Sequence, residues 1–245
     1  MTRAFPKDDE SSQTKLSLES MLNQSAWGSR LTDSQFQKVF NATEERIVAA
    51  GKLVASAGEP VQHWLGLIEG FVKMSVTSRD GKQSTLTGLA AGSWFGEGSL
   101  LKCERRRYDV IALRDSRLAF VPLSAFTWLR DNSFAFNHYL QNLMNARLSL
   151  FIGQLEHDRL LDIDSRVAQC LASLMDPDLY PHASDAIELN QDEVALLANI
   201  SRQRANAALR VLQENALIVV ERGGLQILDV AGLRAFAERY GDQPS

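Results

Sequence analysis

The stretch Asn190-Gln-Asp-Glu-Val-Ala-Leu-Leu-Ala-Asn199-Ile-Ser-Arg-Gln-Arg-Ala-Asn-Ala-Ala-Leu-Arg210 decides how the chain is read. Asn190 carries a side-chain oxygen suited to capping a helix, and Glu193 three residues on completes a capping-box pair. Val194, Leu197 and Ala198 give that helix a buried face, and Ala195 is small where a second helix must cross closely. Asn199 stands where the chain must turn sharply, and asparagine tolerates the left-handed conformation better than any residue but glycine. Ser201 is then an N-cap for a second helix. Ala205, Ala208, Leu209 and Leu212 form its buried stripe at i, i+3, i+4 and i+7. The pattern predicts two helices across a tight turn over about residues 191–210.

The other face of the second helix carries Arg202, Gln203, Asn206 and Arg210, with Arg204 to one side. Arginine suits the guanine edge and glutamine or asparagine the adenine edge, so these are candidates for reading bases in a major groove. Downstream, Ile218-Val-Val-Glu-Arg-Gly-Gly-Leu-Gln-Ile-Leu228 reads as two strands around Gly223-Gly224, a small wing whose Arg222 can meet a phosphate. Charge supports this locally and opposes it globally. Residues 163–245 hold 7 Lys+Arg against 12 Asp+Glu, and residues 1–162 hold 19 against 18. Between Asn199 and Gln213, however, three arginines stand without an acid. Phosphate attraction acts over roughly 8–10 Å, so a local cluster serves where the average does not.

Upstream of this pair lies an apolar stripe at helical spacing: Leu140, Met144, Leu148, Phe151 and Leu155, within a stretch from Ser133 to Leu161 that lacks proline. A helix of about seven turns between two domains has either a second copy of itself or the preceding domain to pack against, and both remain open. From Glu45 to Pro122 the period changes to two, with Leu65, Leu67, Val72, Met74 and Val76 alternating with other residues. Turn signals separate short runs, and Asp80-Gly81 marks a hairpin. An all-β sandwich or barrel is expected there. Leu18, Met21 and Leu22, then Phe36, Val39 and Phe40, fit short N-terminal helices, the second capped by Asp33; residues 1–15 are polar and expected to be loose.

With 45% hydrophobic and 23% charged residues, the chain of 245 residues can bury a real core, in one large domain or two smaller ones. No apolar run is long enough for a membrane span, and the polar start does not read as a secretory signal. Cys103 and Cys170 are too few and too far apart for a disulfide framework, a metal site or an iron–sulfur cluster. His63, His138, His157 and His182 are scattered and read as surface or satisfied histidines rather than haem ligands. A cytoplasmic location is expected. Nucleophile-elbow, zinc-protease and phosphate-loop patterns are missing, and pairs such as Asp8-Asp9 or Glu44-Glu45 read as solvated surface, so no enzymatic role is expected.

Three stretches together resemble the cyclic-AMP receptor and fumarate–nitrate-reduction regulator (Crp/Fnr) family of bacterial transcription factors: Phe95-Gly-Glu-Gly-Ser-Leu-Leu101, Leu161-Asp-Ile-Asp-Ser-Arg-Val-Ala-Gln169 and Ile200-Ser-Arg-Gln-Arg-Ala-Asn-Ala-Ala-Leu209. The resemblance covers nearly the whole chain. It implies an α+β protein: a cyclic-nucleotide-binding-like β-roll (a double-stranded jelly-roll) over residues 1–130, a dimerisation helix and linker over 131–162, and a winged helix-turn-helix over 163–245. It further implies a homodimer on double-stranded DNA with a two-fold-symmetric operator, RNA polymerase as a partner, and no membrane association. Ser201, Arg202, Gln203, Arg204, Asn206, Arg210 and Arg222 become the DNA-binding residues.

The first stretch resembles the family's phosphate-binding cassette. Gly96 and Gly98 would let backbone amides approach an anion, a short helix starting near Ser99 would offer its N-terminus, and Glu97 would accept a ribose hydroxyl. Arg106 falls at the position that neutralises the phosphate, with Arg107 at the family's small position and Tyr108 on the next, two bulky side chains that would crowd a cyclic nucleotide. Phe151 and Ile152 fall where the cyclic-AMP receptor holds adenine through a Thr-Ser pair. These bulky or apolar side chains argue against cyclic AMP itself. A different cyclic nucleotide or other small anion, an unrelated small molecule, or a β-roll without ligand in a constitutive regulator all stay open. In the recognition helix, Gln203 and Ala207 replace the family's Glu and second base-reading Arg, so a different half-site is expected, with Arg204 and Asn206 filling the missing contacts.

Overall fold

A computed structural model describes residues 16–160, 162–181 and 185–238, with the backbone alone over 156–160. The expectations for residues 1–15, Leu161, His182 and the His157 side chain lie outside these residues.

Helices α1 (Leu18–Gln24) and α2 (Asp33–Ala42) lead into the first strands. The cap of α2 is Thr32, not Asp33: Thr32 accepts from the Gln35 amide at 3.3 Å, and the Gln35 side chain accepts from the Thr32 amide at 3.0 Å. A hydroxyl with glutamine three positions on satisfies two helix-end donors at once, which outweighs a lone aspartate.

Strands β1 (Glu44–Val48), β2 (Leu53–Ala55), β3 (His63–Glu69), β4 (Phe71–Thr77), β5 (Gln83–Ala90) and β6 (Trp94–Phe95) follow; after the short helix α3 (Glu97–Leu101) come β7 (Asp109–Ala112) and β8 (Ser116–Pro122). They form two antiparallel four-stranded sheets, β1-β8-β3-β6 and β2-β7-β4-β5. Registers such as Leu65↔Phe120 and Met74↔Val110 align the alternating apolar residues. Between the sheets Leu65, Leu67, Val72, Met74, Leu89, Phe95, Val110 and Leu118 make an inner core. The residues between them are buried as well. Trp64 and Ile68 on the other face of β3 join a larger core with α1 and with the next helices, α4 (Leu123–Asn132) and α5 (Phe134–Leu160). Period two therefore marks the inner face alone. The β4–β5 connection runs from Ser78 to Lys82, longer than a two-residue turn, with Gly81 at φ +83°.

The centre of the larger core is aromatic. Trp64 stacks on Trp94 with ring centres 4.3 Å apart, and Trp27, Phe126 and Phe136 lie 5.4–5.6 Å from Trp64. Gly66 makes room for this stack, since a Cβ there would meet the Trp94 ring at 2.8 Å.

The long helix α5 divides its apolar residues between a buried and an exposed part. Phe136, Leu140 and Leu143 are buried against the β-roll. Beyond them Met144, Leu148, Ile152 and Leu155 recur every three or four residues and are exposed, Leu148 at 57% and Leu155 at 63%. Then α6 (Ile163–Ser173), capped by Asp162, opens the C-terminal domain with β9 (Ala186–Ile187), α7 (Gln191–Leu197), α8 (Arg202–Glu214), β10 (Ile218–Glu221), β11 (Gly224–Ile227) and α9 (Val230–Glu238). Strand β9, too short for a periodicity signal, adds to the wing as a third strand in the order β10-β11-β9. The wing turns at Arg222-Gly223, with Gly223 at φ +96°.

The C-terminal domain docks on the β4–β5 side of the roll. Gly88 allows the approach: a Cβ there would meet the Phe71 ring at 2.5 Å and Leu197 of α7 at 2.8 Å. Arg114, between β7 and β8, reaches both carboxylate oxygens of Glu193 on α7 at 2.8 and 2.9 Å.

Candidate nucleic-acid interface and effector site

Helix α7 starts at the capping box read from the sequence: Asn190 accepts from the amides of Asp192 and Glu193, both at 3.0 Å, and the Glu193 carboxylate accepts from the Asn190 amide at 2.8 Å. Asn199 adopts φ +51° in the turn. Ser201 caps α8 by accepting from the Arg204 amide at 3.4 Å. Ala205, Ala208, Leu209 and Leu212 are buried, which turns Arg202, Gln203, Arg204 and Arg210 outward to solvent. Asn206 sits deeper, half-buried, with its Oδ1 unpaired. Arg222 is exposed at the wing tip. Sequence reasoning missed Asp192, whose carboxylate meets the Arg202 Nε at 3.2 Å and holds that guanidinium beside the start of α7. An acid at N2 of the first helix, about two turns before the turn at Asn199, was the available signal.

In the β-roll, Gly96 takes φ +93° as the N-cap of α3, which starts at Glu97 rather than near Ser99. The left-handed conformation that glycine readily adopts turns the chain at Gly96 straight from β6 into the helix. Glu97 and Arg106 are only 3% and 6% exposed. Glu97 Oε1 pairs with Arg147 of α5 at 3.0 Å, and a second nitrogen of Arg147 donates to the Trp94 carbonyl at 3.0 Å. Arg147 was not singled out in the sequence; a cation one turn from Leu143 on the buried side of a long helix is its signature. Glu97 Oε2 and Arg106 Nη1 are buried without partners. Gly98 is exposed and Ser99 buried on α3.

Among the bulky side chains expected to crowd this site, Tyr108 alone does so. Its ring packs on the inner core with the Arg106 guanidinium 5.6 Å from its centre. Burial, followed by the Glu97 carboxylate, raises its phenol pKa, so the ring stays neutral. Arg107 instead points to solvent and pairs with Glu104 at 3.1 Å, because alternation along the strand entry sends it opposite to Arg106. Phe151 and Ile152 are not beside Glu97 within one chain. Phe151 lines a cleft of about 320 Å³ between β5, α5, α6 and the Asn199 turn, and Ile152 lies on the exposed face of α5.

Two family models match the chain. The cyclic nucleotide-binding domain matches residues 45–133, and the Crp-like helix-turn-helix domain matches residues 165–236. The chain belongs to the Crp/Fnr family. As a member it is a DNA-binding transcription regulator built from a cyclic-nucleotide-binding β-domain and a Crp-like helix-turn-helix. It is 27% identical over 165 residues to the cAMP-activated global transcriptional regulator CRP of Pasteurella multocida, covering 66% of this chain and 79% of that protein. It is 26% identical over 194 residues to the cyclic AMP receptor protein of Thermus thermophilus, covering 79% and 88%. The fold is shared with FixK2 of Bradyrhizobium japonicum, with a TM-score of 0.65 and 16% identity over 79% of this chain and 96% of that one. Among the described residues no helix is long and apolar enough to cross a membrane, and no three His, Cys, Asp or Glu side chains gather as for a metal ion.

Proposed function

We propose that this Crp/Fnr protein works in the cytoplasm as a homodimer. Its two α8 helices would enter successive major grooves of a two-fold-symmetric operator, with half-sites one turn, ~34–36 Å, apart. It acts by binding DNA and RNA polymerase and carries out no reaction. The observation that supports this reading most is the two-sided α8: four polar or cationic side chains outward over a buried apolar stripe. Ser201 and Arg222 take phosphates, and Arg202, Gln203, Arg204, Asn206 and Arg210 supply base and backbone contacts. Selection from random duplexes with the full-length protein should yield a palindrome. Arg202→Ala should then weaken binding by about tenfold to a hundredfold at fixed salt and relax one position in each half-site, as loss of a bidentate contact of ~1–3 kcal/mol requires. Unchanged affinity and base preference would remove Arg202 from the interface.

The effector lies beside α3. Glu97 Oε2 and Arg106 Nη1 are each buried without a partner, which is costly, and a ligand presenting both a hydroxyl and an anionic oxygen would satisfy both. In this reading Gly96, Glu97, Gly98 and Ser99 would flank the ligand on one side and Arg106 on the other. A titration calorimetry panel of cyclic AMP, cyclic GMP, cyclic dinucleotides, AMP and inorganic phosphate should give heat for at least one phosphate compound, abolished by Arg106→Ala. The position of Tyr108 in the roll interior favours a second reading, a constitutive regulator with no ligand. An empty panel, with the operator still bound, would select it.

A further inference from the structure

We propose that Asn199 is a positioning residue for DNA recognition: its side-chain amide clamps the helix-turn-helix turn onto the edge of strand β5 and so fixes where α8 points. The inference rests on α8 being the DNA-reading helix.

Strand β5 is the outer strand of the sheet β2-β7-β4-β5, so one row of its backbone groups has no strand partner. Asn199 fills part of that row as another strand would. Its Oδ1 accepts from the Thr85 amide at 3.1 Å, and its Nδ2 donates to the Thr85 carbonyl at 2.8 Å. The Ser84 hydroxyl adds a third contact, donating to Oδ1 at 3.3 Å. Two other side chains complete the edge. Gln154 of α5 donates to the Leu86 carbonyl at 2.9 Å, and the Tyr180 hydroxyl donates to the Gly88 carbonyl at 2.7 Å. From the turn side, Arg166 of α6 donates to the Ala198 carbonyl at 3.0 Å.

The turn alone does not require this side chain. A residue at φ +51° needs only tolerance of the left-handed region, which glycine meets best. What the carboxamide adds is a paired link to the other domain, three residues before Arg202. An Asn199 held on both arms fixes the start of α8 relative to the β-roll, and thus relative to α5 and its exposed apolar face. In a dimer joined through that face, the separation of the two reading helices follows from the clamp. The reading side chains Arg202, Gln203, Arg204 and Arg210 are exposed while the clamp is closed, so the clamped arrangement leaves them accessible to a duplex.

Asn199→Gly tests this, because glycine keeps the turn and removes the clamp. In full-length protein, hydrogen exchange in a peptide covering residues 83–90 should become ~10-fold faster or more, with the circular dichroism spectrum unchanged. Affinity for a full operator selected by the parent protein should fall ~10-fold or more. Affinity for the same duplex cut to one half-site should stay within about twofold, which separates lost orientation from a damaged helix. Asn199→Asp serves as a second variant: it keeps the size and the acceptor but sets a carboxylate oxygen against the Thr85 carbonyl, and should show the same split. An unchanged ratio of full-site to half-site affinity, or tighter operator binding once the clamp is gone, would overturn the proposal. Equal losses on both duplexes would show a structural role instead, and would overturn it too. Failure of the parent protein to select any duplex would remove the DNA reading itself, while the exchange measurement would still report whether the clamp exists in solution.

Discussion

Leu148→Glu combined with Ile152→Glu is expected to give a folded monomer that binds a two-half-site operator ~10²–10⁴-fold more weakly than the parent. Both side chains are exposed in the single chain, so neither substitution opens a cavity or buries a charge in it. The same two positions lie at the middle of a run, Met144, Leu148, Ile152 and Leu155, that leaves one apolar face of α5 without a partner. Four glutamates brought together at a two-fold contact would have to be dehydrated against each other, which a dimer of ordinary stability does not survive. Losing the dimer turns two linked contacts into two separate ones, and the expected loss is the effective-concentration advantage of linkage. Sedimentation analysis gives the mass, and titration of full-site and half-site duplexes gives the affinities. A dimer that persists, or a monomer with parent-like operator affinity, would place the subunit contact elsewhere.

Trp64→Ala should be the most damaging single truncation, at ~3–5 kcal/mol, the range for removing a large aromatic side chain from a core. The indole is fully buried, stacks on Trp94 and meets Trp27, Phe126 and Phe136 edge-on or tilted, so four neighbours would surround the hole. Rings locked against one another relax poorly into a void. For a chain of this size the loss corresponds to a fall in melting temperature of roughly 6–20 °C by differential scanning calorimetry. A fall of less than about 3 °C would mean that the cluster contributes far less than its burial implies.

The sequence was most informative where local chemistry alone sets the structure. Asn190, Glu193 and Ser201 each cap backbone groups within three residues and Asn199 takes the left-handed turn at its own position, as their residue types suggest. The stripe Ala205, Ala208, Leu209 and Leu212 was legible for the same reason, since helical periodicity needs no knowledge of the partner. Partners far along the chain were not legible. Thr85 lies 114 residues from Asn199, and Arg147 lies 50 from Glu97. Nothing in either local pattern announces the other. Arg107 and Tyr108 show the intermediate case. Both were placed in the pocket by counting from Val110, yet one-residue alternation sends only one of two neighbours inward. The stripe on α5 was read as a single feature, but its early residues Phe136, Leu140 and Leu143 are covered, while Met144, Leu148, Ile152 and Leu155 are exposed.

The aromatic cluster also makes the chain its own optical probe. Three of its four tryptophans sit in one dry pocket, and the carbonyl of Trp94 is held by the same guanidinium that neutralises Glu97. Whatever moves the Arg147 guanidinium also disturbs the backbone that carries a stacked indole. Occupancy beside α3 would therefore be written into the emission spectrum of the unlabelled protein, readable without dye, tag or duplex.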